Sequence, residues 1–232
     1  MQRYFTAEEA EQEYLKAMGT ELGPFYSLLV KECSLLHMEW AEFKILFGTN
    51  PERIELMNQT AHSFFFHLQN TLWERTLLHI ARLMDPPNSG KDKENVTLLA
   101  LPELVDLAIR PKIDDLLQVA QQKCAFSIDW RKRRIAHRDL GLALKENAKP
   151  LETASRLSVN SALEAIATVL NVVESHYRES GIVAYEFVME PPGGAKALLY
   201  FLREGLEARA RRMQRLASGQ PLSEDVAPKR PI

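Results

Sequence analysis

The chain has 232 residues, 46% hydrophobic and 26% charged, and its 29 basic against 31 acidic side chains leave a net charge of −2. These are the proportions of an ordinary globular protein with a sizeable core, and the near-neutral balance excludes bulk coating of nucleic acid or of an anionic membrane, so any basic surface must be local. Only two cysteines occur, Cys33 and Cys124, with no CxxC pair, which argues against a disulfide framework or a zinc site and fits a reducing compartment.

The N-terminal MQRYFTAEEAEQEY carries charges where a signal peptide needs an apolar stretch. The most apolar later run, 161–173, is 13 residues long and contains Glu164, too short and too polar to span a bilayer. A cytoplasmic protein with no membrane partner is therefore the expectation.

Thr6 and Glu9 form a capping-box pattern that predicts a first helix over about 7–19. Pro24 opens a second helix whose Phe25, Leu28, Leu29, Leu35, Leu36, Trp40, Phe43 and Phe47 mark one apolar face, ended by Gly48. Asn50-Pro51-Glu52 starts a third, with an N-cap, a proline in the first turn and an early acid. Its stripe of Ile54, Met57, Ala61, Phe64, Leu68, Leu72, Ile80 and Met84 predicts one helix of roughly 45 Å, the spine of a bundle.

The polar stretch PPNSGKDKEN at 86–95 reads as a loop, followed by a short helix near 102–109 and a long one from Pro111 to about Arg138. Residues 141–157 read as irregular, with Lys149-Pro150 as a breaker, and helical periodicity resumes over 158–177. The run IVAYEFVM at 182–189 is the one strand-like segment, and a lone strand has to pair across a dimer or lie extended on the bundle. After Gly193-Gly194 a last helix carries Leu199, Leu202, Leu206, Met213 and Leu216 on one face. Residues 219–232 read as a disordered tail, leaving a single domain over 1–218. The fold class is all-α, an antiparallel helical bundle with an extra C-terminal helix.

The long helix from Pro111 carries the chemistry. At about 100° per residue, Leu117, Cys124, Ile128 and Ile135 share a core-facing stripe, and Arg131 lies at its edge in the spacing 124, 128, 131, 135. An arginine keeps its charge, so burial there demands a carboxylate, a phosphate or a water-filled cavity. Trp130, Arg131, Arg134, His137 and Arg138 fall in one sector of that wheel. The bland reading of WRKRRIAHRD is a solvated face whose arginine stems cover apolar surface.

The string from Arg131 through Lys132, Arg133, Arg134, Ile135 and Ala136 to His137 resembles the Arg-x4-6-His motif of the HEPN superfamily, and its continuation to Asp139 resembles the AbiU-type abortive-infection branch. A second stretch is similar to the same branch: Leu72-Trp73-Glu74-Arg75, then Ala81-Arg82-Leu83-Met84-Asp85, a polar loop, and Asn95-Val96-Thr97-Leu98. The resemblance covers about 22–173 and implies an antiparallel helical bundle. Active members are metal-independent ribonucleases in which the motif residues of two subunits meet. The resemblance thus implies a homodimer acting on RNA in phage defence or a toxin–antitoxin pair, with an antitoxin protein as a further partner and no cofactor.

Carried onto this chain, it implies His137 as general acid/base and Arg131 as the holder of the scissile phosphate. Arg134 and Arg138 would draw in the RNA backbone and Trp130 would stack on an unpaired base. Lys132 follows the motif arginine where active members often carry Asn, Asp or His, which keeps a second reading open: a silent HEPN module that binds RNA or a partner protein. A helical adaptor without a nucleic-acid role is the third.

Glu74 or Asp85 is expected to satisfy Arg131 across the bundle; the competing reading makes Arg75, Arg82 and Asp85 a surface ion-pair group. His37, His62, His67, His79 and His176 show no metal-ligand spacing, so no metal is expected. EARARRMQR at 207–215 reads as a solvated face or as a nucleic-acid or partner contact.

Overall fold

A computed structural model of the chain describes residues 7–88, 90, 93–146, 148–178 and 193–226. Among them the named elements are all helices: α1 (Ala7–Phe47), α2 (Pro51–Leu83), α3 (Leu101–Leu104), α4 (Arg110–Trp130), α5 (Leu140–Leu144), α6 (Arg156–Tyr177), α7 (Ala195–Ala217) and α8 (Ser223–Val226). No strand occurs among the described residues, only an isolated bridge between Asn88 and Glu94. Thr6, the strand-like run at 182–189 and the end of the tail at 227–232 lie outside the described residues.

By packing the chain divides into two compact units: Met1–Trp40 with Leu72–Met189, and Ala41–Thr71 with Glu190–Ile232. The first is an antiparallel bundle of α1, α2, α4 and α6. The Tyr26 hydroxyl donates to the Leu170 carbonyl (2.9 Å) while Trp40 Nε1 donates to Asn160 Oδ1 (2.7 Å), so α1 and α6 run in opposite directions. His79 against Glu32 (2.9 Å) and Arg75 against Glu39 (2.5 Å) set α1 and α2 antiparallel in the same way. Leu29, Leu36, Leu77, Ile80, Ile113, Ala120, Ile166 and Leu170 are fully enclosed in this core. Truncating such a residue to alanine typically costs about 2–5 kcal/mol.

Over its full length α6 is apolar and long enough to cross a membrane by composition. Its Val159, Ala162, Leu163, Ile166, Val169, Leu170 and Val173 are buried, and it packs along α4.

In the second unit Phe43, Ile45, Leu46, Leu56, Met57, Phe65, Ala195 and Leu199 are the buried apolar side chains among the described residues. Glu42 Oε2 accepts from the backbone N–H of Ala195 at 2.6 Å, which satisfies a donor at the start of α7. Asp225 of α8 is buried against Arg215, with carboxylate contacts of 2.6 and 2.7 Å, and the Arg212 Nε donates to its carbonyl at 2.9 Å.

Four features differ from the pattern read along the chain. Ala61 leaves the helical region (φ −151°, ψ 59°), and after it Phe65 and Leu77 are enclosed while Phe64 is exposed; before it the buried side chains are Leu56 and Met57, and Ile54 is exposed. α4 stops at Trp130 and continues to Ile135 as a π-helical turn, not as a straight helix to 138. Residues 141–144, expected to be irregular, belong to α5 because Asp139 caps it (Oδ1 accepts from Leu142 N, 2.9 Å) and Lys145 ends it in the left-handed region (φ 57°). Residues 223–226, assigned to a disordered tail, form α8, whose Asp225 carboxylate is held by Arg215 and whose Asp225 carbonyl is held by Arg212.

Candidate functional site at the end of α4

The buried seam of α4 is Ile113, Leu117, Ala120, Cys124 and Ser127, and its next position at the same four-and-three spacing is Arg131. The seam thus runs out of the core exactly one turn after Ser127 — Ile128, expected in it, is only half-buried. Arg131 stands where the apolar interior ends, and its side chain is 34% exposed.

Its charge is met by Asp85, whose side chain is 23% exposed; Arg131 Nη1 donates to Asp85 Oδ1. Asp85 lies two residues past α2, and the loop behind it is tied down by Thr97. The buried Thr97 hydroxyl bridges the carbonyls of Leu83 (2.9 Å) and Asp85 (2.7 Å), and also caps the turn at Leu98–Ala100. Asn95 adds a side-chain bond to the Pro86 carbonyl (2.7 Å) and a backbone bond to the Pro87 carbonyl (2.8 Å). The two sequence motifs therefore meet physically: the Asp85…Asn95-x-Thr97 loop presents a carboxylate to the motif arginine.

From Arg131 to Ile135 the backbone widens into a π turn, with Ala136 N–H donating to the Arg131 carbonyl at 2.8 Å. Such turns occur often at functional sites, because one extra residue redirects the side chains that follow. The 100° wheel consequently fails beyond Arg131, and the residues it grouped are sorted differently. Arg134, half-exposed, pairs with Glu74 (3.2 Å) and lies 5.3 Å over the Trp130 ring. Trp130 Nε1 donates to the Glu152 carbonyl (2.8 Å), so the tryptophan is half-buried and engaged on one face and at its polar edge. His137 and Arg138 are exposed and make no side-chain hydrogen bond or ion pair among the described residues. Of the two carboxylates expected near Arg131, Asp85 meets it and Glu74 meets Arg134. Arg75 turns to Glu39, whose carboxylate raises its pKa further, and takes no part with Asp85.

A cleft of about 430 Å³ opens beside this turn, lined by Glu74, Arg133, Arg134, Arg138, Asp139 and Leu142. Three guanidinium groups against two carboxylates make it cationic, as a groove for a phosphate backbone needs to be.

Sequence reasoning missed Arg133 and Asp129. Arg133 Nη1 lies 3.4 Å from Asp129 Oδ1, its Nε lies 3.6 Å from Asp139 Oδ2, and it donates to the carbonyls of Lys149 (2.5 Å) and Pro150 (3.4 Å). The Leu142 N–H, and then Arg133, hold the Asp139 carboxyl below its usual range. The i,i+4 spacing of Asp129 and Arg133 was a usable signal, but nothing local announced the carbonyls 16 and 17 residues away. Among the described residues no three His, Cys, Asp or Glu side chains gather in a metal-holding group.

No curated protein and no solved structure matches the chain. Residues 19–197 match the HEPN family AbiU2, a span that includes the bundle, the Asp85–Thr97 loop and the whole π turn. The chain belongs to that family, and is an HEPN domain of the abortive-infection type.

Proposed function

We propose that the protein is a metal-independent endoribonuclease that acts as a homodimer in phage defence or as the toxin of a toxin–antitoxin pair. The observation that carries this reading is the pairing of Arg131, braced by Asp85 at the edge of the core, with His137, exposed and without a side-chain partner, six residues on across a π turn. A fixed cation and an unengaged imidazole suit RNA cleavage. His137 takes the proton from a ribose 2′-hydroxyl, the 2′-oxygen attacks the adjacent phosphorus, and Arg131 stabilises the charge on the phosphorane. A proton delivered by an imidazole to the departing 5′-oxygen completes the step, leaving a 2′,3′-cyclic phosphate and a 5′-hydroxyl. Two copies of His137 facing one cleft supply the base and the acid together. Arg134 and Arg138 at the cleft support binding of the backbone.

The test is cleavage of single-stranded or looped RNA by the purified protein in EDTA, with end-group analysis of the products. Cyclic-phosphate ends are expected, and His137→Ala should lower the rate by about 10²–10⁴-fold while light scattering finds the dimer unchanged. Cleavage that needs Mg²⁺, or that survives His137→Ala, overturns the mechanism.

A second reading is favoured by a specific observation: Asp85 already neutralises Arg131, and Arg134 covers one face of Trp130. A silent RNA-binding module with these contacts would cut nothing yet bind RNA in a salt-dependent way that Arg134→Ala weakens.

A further inference from the structure

We propose that Arg133 is a positioning residue: it locks the π turn and thereby decides where His137 stands, an inference that rests on the cleavage reading above. A histidine that makes no side-chain bond of its own is placed only by its backbone. The backbone before His137 is held by Arg131, whose carbonyl accepts from the Ala136 N–H, and the backbone after it by Arg133. The Arg133 carbonyl accepts from the Asp139 N–H at 3.0 Å, closing a loop of seven residues that contains Ala136, His137 and Arg138.

The Arg133 side chain, 20% exposed, secures the same loop from outside. It reaches back to Asp129 on the last turn of α4, forward to Asp139, and sideways to the Lys149 and Pro150 carbonyls. The sideways anchor is itself fixed, because Asp129 Oδ2 accepts from Glu152 N–H (2.9 Å) and the Glu152 carbonyl accepts from Trp130 (2.8 Å). Asp139, with its other oxygen on Leu142 N–H, fastens the loop to α5.

A π turn has weaker internal bonding than an α-helix and persists where its surroundings support it. Only arginine offers a planar fork that can serve two carboxylates and two carbonyls at once; a lysine ammonium keeps the charge but not that reach. Arg133 lines the cleft, yet its donors are already turned to these four partners. It therefore acts through His137 and not on the substrate.

The experiment compares wild type with Arg133→Lys, Arg133→Ala, Asp139→Ala and Asp139→Asn, measuring kcat and KM for RNA cleavage and amide hydrogen exchange at Ala136, His137 and Asp139. A lost lock should lower kcat by up to about 10²-fold in both Arg133 variants with KM little changed, since misplacement of a reacting group has that cost. Exchange at the three amides should quicken in step. Asp139→Asn, which keeps an N-cap oxygen, should fall less than Asp139→Ala. Unchanged kcat in Arg133→Lys, or an effect confined to KM, overturns the proposal while leaving the nuclease reading intact. A wild type that cuts no RNA overturns the nuclease reading instead. Exchange then decides the lock alone: unchanged rates at Ala136 and Asp139 in Arg133→Lys reject it, and faster rates uphold it.

Discussion

Arg131 shows how a side chain can belong to the core by spacing and to the site by chemistry. Its backbone continues the seam of Cys124 and Ser127, while its guanidinium meets Asp85 at the rim with a third of the side chain in solvent. Full burial of the pair would put the cost of losing one partner at about 3–5 kcal/mol. With water reaching both groups, Arg131→Ala should cost about 1–3 kcal/mol, the range of a charge-assisted bond. A double-mutant cycle with Asp85→Ala, followed by urea unfolding, checks this; a coupling energy near zero would mean that the pair contributes nothing to stability.

Asp225 gives the second prediction at this scale, and it concerns acid. Its carboxyl is held down to about 2, first by the Arg215 side chain and then by the Leu222 N–H. In an unfolded chain the same group titrates near about 3.9. A depressed folded value means that the stabilisation is present above the unfolded value and is lost as pH falls from about 4 towards 2. Asp225→Asn should therefore matter at neutral pH and progressively less in acid. Helix content of α7 and α8 followed by circular dichroism between pH 7 and pH 2, wild type against variant, tests the sign.

At the scale of elements, the breaks in the helices carry more information than the helices. α1 is two segments turned about Gly19 (φ 81°, ψ −178°), a backbone region that is essentially restricted to glycine. The Tyr14 and Tyr26 rings meet edge to face at 5.1 Å across that turn, and a Cβ at position 23 would come within 2.7 Å of the Leu15 backbone. Gly19→Ala has free space around its new methyl group, so its cost is backbone strain alone, about 1–3 kcal/mol. A fall in thermal midpoint with the spectrum of a folded helical protein is the expected result.

Thr97 does for the Asp85 loop what Gly19 does for α1. Thr97→Val keeps the shape but removes the hydroxyl that serves two carbonyls, so about 1–3 kcal/mol should be lost. If the loop also presents Asp85, hydrogen exchange at the Asp85 amide should quicken in this variant. An unaltered rate there would separate the loop from the site.

At the scale of the molecule, the proposed reaction calls for two chains, because one imidazole cannot be base and acid in the same step. The protein is expected to be a dimer at micromolar concentration by light scattering, through an isologous contact that includes residues 131–138. A monomer at that concentration would count against the nuclease reading and leave the silent module standing.

Much of this was legible along the chain. Periodicity of three and four found each long helix and the break between 19 and 24, since an apolar face and a glycine or proline stop are local properties. The two motifs, 46 residues apart at Asp85 and Arg131, pointed to the family that residues 19–197 match. What only the tertiary structure decided was phase and partnership. A single non-helical residue at Ala61 and one extra residue in the turn after Trp130 rotate everything downstream, and no wheel drawn from sequence registers them. Which carboxylate meets Arg131, and which four groups hold Arg133, depends on where distant loops return. Charge finds its partner through space, whereas hydrophobic periodicity is written residue by residue.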